Sequence, residues 1–225
     1  MPKLLKLIRD NFMKLTSQSF KDGDVIPGEF AFAIPDTVNH IALSANRNPH
    51  LCWSDAPAET QSFVVICHDP DVPSRGDDVN QEGRLVSESL PRVDFFHWLL
   101  LDIPANTTEI ASGSHSDGIT ARGKSGPDAP SAHRHGINDY TGWFAADEQM
   151  KGEYYGYDGP CPPWNDTLVH HYIFTVYALA SQSLNVQGQL TGENVCAALT
   201  KAPVLAQASI TGLYSLNPAV GSTAQ

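Results

Sequence analysis

A chain of 225 residues is long enough for one large domain with a substantial core, and all-β domains often reach this size undivided. Its formal charge of −11 and pI near 5.1 repel phosphate backbones and anionic lipid surfaces, which argues against nucleic-acid binding and stable membrane association. Cys52, Cys67, Cys161 and Cys196 are widely spaced with no Cys-x-x-Cys pair, so neither a zinc framework nor a dense disulfide scaffold is expected.

No apolar run approaches the roughly 20 residues of a membrane span, and no signal peptide is visible. A cytoplasmic protein with reduced thiols follows as the expectation. Residues 1–12 carry a short basic-apolar stretch and read as a flexible extension, with Met13 the effective beginning.

Along the chain, period-2 and short apolar signals dominate. Strands are expected over 30–34, 41–44, 62–67, 97–103 and 171–180. The longest are apolar almost throughout, as central strands covered on both faces would be. The strand at 62–67 runs into a turn where Asp69 and Asp71 both flank Pro70, which stiffens the backbone under the carboxylates. The segment 104–155 is rich in Gly, Ser, Asp and His, and is expected to hold irregular strands and functional loops, including 140–145.

One helix is expected over 192–201, with Thr191 as N-cap, Glu193 and Lys201 at the ends that suit their charges, and Pro203 blocking continuation. A last packed element follows over 205–214, then a loose tail from 215 to 225. No repeat or linker divides the chain, so 13–214 reads as a single domain.

Three motifs carry little chemistry. Gly118-Ile-Thr-Ala-Arg-Gly-Lys-Ser125 fits the phosphate-loop pattern but lacks the preceding apolar strand and the following helix whose amides would hold phosphates. Asn106 and Asn165 head glycosylation-type triplets, which mean nothing without secretion. His133 and His135 lie in a loop with no acidic or thiol partner beside them and read as solvated.

A stronger constellation joins His97, at the start of one long strand, to Gly159-Pro-Cys-Pro-Pro163 and His170-His171-Tyr172. Residues two apart share a strand face, so His170 and Tyr172 point together and His171 points away. The Gly159–Pro163 run is a rigid wall whose glycine permits close backbone approach. If Asp69, His97, His170 and Tyr172 converge, the imidazoles and phenol suit a phosphate or carboxylate group, while Asp69 fixes a histidine tautomer. On spacing alone, four satisfied core polar residues are an equal reading.

His68-Asp-Pro-Asp-Val-Pro-Ser74, Phe96-His-Trp-Leu-Leu-Leu-Asp-Ile-Pro104 and the Gly-Pro-Cys-Pro-Pro…His-His-Tyr-Ile-Phe-Thr-Val-Tyr-Ala-Leu series resemble the phosphatidylethanolamine-binding protein family, in particular its bacterial Raf-kinase-inhibitor-like (YbhB/YbcL-type) branch. The similarity runs roughly from 13 to 214. It implies a mainly β fold, an antiparallel Greek-key β-sandwich with a few peripheral helices, and a small anion pocket. Carried over residue by residue, the ligand-binding set is Asp69, His97, Pro162, Pro163, His170 and Tyr172, with Asp71, Gly159 and Cys161 in support. The chain departs from the pattern at His171, where the family has arginine. It also departs in an insertion over 75–94 and in a long 113–149 region, each expected to lid or reshape the pocket entrance, the latter alternatively to build a homodimer contact.

The resemblance implies a non-enzymatic protein without cofactor or metal that binds a small phosphate- or carboxylate-bearing ligand, the family name suggesting phospholipid headgroups and the charge favouring soluble anions. The family also includes regulators or inhibitors with a kinase or protease as protein partner. The competing reading is a hydrolase or metal-dependent enzyme built on Asp69, His97 and His170, or a Cys161 nucleophile.

Overall fold

The computed structural model describes residues 13–220; the expected N-terminal extension lies outside the described residues. The strands are β1 (Lys14–Thr16), β2 (Ala33–Asp36), β3 (His40–Leu43), β4 (Leu51–Ser54), β5 (Ser62–Pro73), β6 (Arg92–Pro104), β7 (Glu109–Ile110), β8 (Arg134–His135), β9 (His170–Leu179) and β10 (Val204–Tyr214). The helices are α1 (Tyr140–Trp143) and α2 (Gly192–Leu199). All ladders between them are antiparallel: a five-stranded sheet in the order β10-β9-β5-β6-β8, a three-stranded sheet β1-β4-β7, and the hairpin β2-β3.

The apolar runs of the long strands are explained by burial on both faces. Phe63, Val65 and Cys67 of β5, Trp98 and Leu100 of β6, and Phe174 and Val176 of β9 pack into the main core with Leu15, Trp53 and Ile110 of the smaller sheet. The alternate residues Val64, Ile66, Leu99 and Leu101 meet Val195, Ala198 and Leu199 of α2 on the other face. The chain is therefore a mainly β sandwich with a helix covering its outer face. α2 begins where Thr191 accepts a hydrogen bond from the Asn194 amide, as its capping residue type requires.

Two expectations need correction. The strand predicted at 30–34 starts later, because Gly28–Phe30 forms a 3₁₀ turn and only Ala33 onward pairs with β3. The tail beyond 214 is not loose at its start: Leu216 is buried in the main core, and Asn217 donates to the Asp166 carbonyl at 2.7 Å. One apolar side chain among small polar ones is enough to dock it.

Candidate functional site

Strand β5 does not stop at Cys67. It continues to Pro73, and its pairing with β6 jumps from Asp69↔Phe95 to Val72↔Val93. Pro70 and Asp71 thus stand opposite Asp94 alone, one extra residue that makes a bulge, a setting that tolerates proline and re-aims side chains. The Asp71 amide donates to Asp69 Oδ1 at 2.8 Å, and the Asp71 carboxylate accepts from the His171 amide at 2.9 Å and from His171 Nδ1 at 2.8 Å. Asp71 thus pins the bulge to β9 from the solvent side, and His171 points outward.

Behind the bulge, the fully buried His170 joins two carboxylates. Its Nδ1 donates to Asp69 Oδ2 at 2.7 Å and its Nε2 to Asp166 Oδ2 at 3.1 Å. Carboxylates only accept, so both ring nitrogens carry protons. Burial works against the charge, but the hydrogen bonds to Asp166 and Asp69 outweigh it and raise the His170 pKa to about 9. Arg92 closes the chain, gripping Asp166 with Nη1 at 2.5 Å and Nη2 at 3.1 Å. Asp69, His170, Asp166 and Arg92 alternate in sign, and their charges cancel.

In front of Asp69 lies a cavity of about 140 Å³, roughly ten times what a single enclosed water needs. Asp69, His97 and Tyr172 form its polar floor, and Phe95, Tyr140 and Cys161 surround them. His97 Nδ1 donates to the Asp158 carbonyl at 2.8 Å, which leaves Nε2 for the cavity. Burial lowers the His97 pKa below the ordinary value, against the raising pull of Asp69. A neutral His97 therefore offers Nε2 as an acceptor, and a proton arriving there would turn it into a donor. Burial pushes the Cys161 thiol up to about 12, so it stays protonated at neutral pH.

The Gly159–Pro163 wall stands as its composition requires: a side chain on Gly159 would meet the Phe30 carbonyl oxygen at 2.1 Å. Pro162, Pro163 and the half-exposed Trp143 line the outer cavity. The insertion supplies the facing rim through Arg75, Gly76, Val79 and Asn80. Asn165 holds this loop from within, donating to the carbonyls of Asp78 at 2.8 Å and Arg84 at 3.1 Å and accepting from the Asn80 amide at 2.9 Å. His40 adds an outer clamp by bonding Glu82 at 2.5 Å while stacking on Trp164. Arg75 forms no ion pair among the described residues.

Of the expected ligand set, Asp69, His97, Pro162, Pro163 and Tyr172 line the cavity, and His170 does not. It sits one layer back, because the bulge swings Asp69 between it and the opening. His133 and His135 are buried rather than solvated. The phosphate-loop lookalike ends in an internal brace, Lys124 to Asp158 at 2.7 Å.

Sequence reasoning marked the 140–145 segment as functional without assigning Tyr140 to the site, and it missed Asp158 and Asp166. Tyr140 donates to the Gly159 carbonyl at 2.7 Å and meets His97 edge-on; the aromatic pair Tyr140 and Trp143, three apart, was the available signal. Asp158, beside the Gly-Pro motif, receives Asn46, Asn138 and Lys124. Asp166 lies four residues before His170.

A family model described as phosphatidylethanolamine-binding protein matches residues 16–215. The UPF0098 protein YbhB of Escherichia coli is 32% identical over 208 residues, covering 90% of this chain and all of the relative. A UPF0098 protein of Aquifex aeolicus is 30% identical, covering 90% of this chain and 88% of the relative. The crystal structure of E. coli YbcL, described as a member of the mammalian PEBP family, superposes with a TM-score of 0.63 at 27% identity, covering 90% of this chain and 98% of that one. The bulged aspartate, the buried histidine behind it and the Gly-Pro-Cys-Pro-Pro wall thus sit in a chain that belongs to the phosphatidylethanolamine-binding protein family.

Proposed function

We propose that the cavity is a non-catalytic binding site for small, soluble molecules bearing a phosphate or carboxylate group. The observation that carries this reading is the floor. His97 Nε2 faces the cavity beside Asp69, whose charge is already balanced by the buried His170–Asp166–Arg92 chain. Arg75, a cation without an ion pair among the described residues, lines the rim. Phosphate binding here requires one proton, carried in by a monoanionic ligand or taken up by His97, and that proton makes the hydrogen bond between them.

The same geometry argues against turnover. His170 is held as an imidazolium and cannot accept a proton. Cys161 remains a thiol, which leaves His97 with no activated nucleophile beside it.

The test is calorimetric titration of inorganic phosphate and a short-chain phosphomonoester into the wild type and His97→Ala, with a phosphomonoester hydrolysis assay alongside. We expect saturable one-to-one binding, weakened at least about tenfold by the substitution, equivalent to about 1.4 kcal/mol, and no hydrolysis. Absence of binding to the wild type, or hydrolysis abolished in His97→Ala, would contradict the proposal.

A further inference from the structure

A second cluster of histidines lies away from the cavity. His133 and His135 share one face of the chain at β8, and His115 reaches them from the 113–117 loop. His115 Nδ1 and His135 Nε2 are 3.1 Å apart, so one donates and the other accepts. The His115 ring also stacks on His133 with centroids 5.7 Å apart and lies the same distance from Trp98. All three rings are at least nine-tenths buried, and both His133 nitrogens and Trp98 Nε1 are buried without a hydrogen-bond partner.

The charges around them are committed elsewhere. Lys124 pairs with Asp158, Arg134 with Asp102, and Arg47 with Glu29 and Asp117. No carboxylate hydrogen-bonds any of the three rings among the described residues. Nor do any three His, Cys, Asp or Glu side chains there stand so as to hold one metal ion. What this cluster can do is titrate.

We propose that His115, His133 and His135 form an acid-sensitive latch that fastens the 113–117 loop to the sheet edge at β8. The imidazole–imidazole hydrogen bond needs an unprotonated acceptor, and a second proton would set two cations against each other in the interior. The other side of the loop is held by residues 46–48: Asn48 accepts the amides of His115 at 2.7 Å and Ser116 at 3.0 Å, Ser116 Oγ donates to the Asn46 carbonyl at 2.6 Å, and Arg47 pairs with Asp117, so the histidines are what joins the loop to β8.

Burial, with repulsion from His133, lowers His115 to about 4, and burial, with His115 and Lys124, lowers His135 to about 3. Burial also lowers His133, against a raising pull from Asp102. Depressed histidines stabilise the closed form above the open-state value near 6.5, and that stabilisation is lost as pH falls below it. At pH 5 each of two released imidazoles favours opening about 30-fold, roughly a thousandfold together.

Amide hydrogen exchange of the full chain between pH 7 and pH 5, corrected for intrinsic rates, tests this. Opening at the His115 and Ser116 amides should rise roughly a thousandfold, with little change in α2. The same rise throughout the molecule, or none at the loop, would overturn the proposal. In His135→Gln the rise should shrink to about 30-fold; an undiminished rise would count against the latch. Should that variant fold poorly, ring NMR of the wild type decides. His115 and His135 should stay neutral to below pH 5 while the loop is closed, and either ring titrating near 6.5 with the loop still closed would refute it.

Discussion

His170 is the residue on which the site's electrostatics turn. Its pKa of about 9 in the fold against about 6.5 in an unfolded chain makes it a stabilising group whose contribution is complete below 6.5 and is lost as pH rises through 9. The full effect is about 3 kcal/mol. Chemical denaturation from pH 6 to pH 10 should show an alkaline decline of that order, and His170→Gln, less stable at neutral pH, should lack most of it. An equal decline in the variant would disprove the imidazolium assignment. Strand periodicity and proline chemistry singled out Asp69, His97 and Tyr172 in the sequence, and the family resemblance assigned them to a pocket. The depth of His170 was not legible there, since it depends on Arg92 arriving from a strand some 70 residues away to hold Asp166.

At the scale of elements, two segments set the shape of the cavity. The Gly159–Pro163 wall depends on a backbone approach that no side chain fits. Gly159→Ala should therefore cost about 3 kcal/mol, at the upper end for overpacking, measurable by urea denaturation. A neutral result would mean the Phe30 carbonyl has room to retreat. The insertion depends on Asn165, whose side chain makes partly buried hydrogen bonds to the loop carbonyls. Asn165→Ala should cost about 1 kcal/mol and expose 75–91 to limited proteolysis, with weaker phosphate binding; unchanged protease resistance would show that the His40–Glu82 clamp suffices. Patterning revealed the long strands and α2, where one periodicity persists over many residues. It did not reveal the β5 bulge or the anchoring of the insertion. A one-residue register shift within a polar Asp-Pro-Asp stretch leaves no trace in an apolar pattern, and Asn165 reads in the sequence as part of a glycosylation triplet.

For the whole molecule, two histidine sites respond at opposite ends of the pH range. The latch loosens the 113–117 loop as pH falls below about 6.5, whereas loss of the His170 proton weakens the fold as pH rises towards 9. Among the described residues no helix is long and apolar enough to cross a membrane. Composition and strand spacing pointed to one turn-rich, mainly β domain and the family resemblance implied the sandwich, while the side-chain partners across its layers came only from the fold.

Proton-linked binding tests the central claim most directly. Calorimetry of inorganic phosphate at pH 8, in buffers of different ionisation enthalpy, should report uptake of about one proton per phosphate bound. Affinity for total phosphate should strengthen as pH falls from 8 to 6. Binding with no proton uptake, or affinity that strengthens as pH rises, would contradict the assignment of Asp69 and His97 as the floor of a phosphate site.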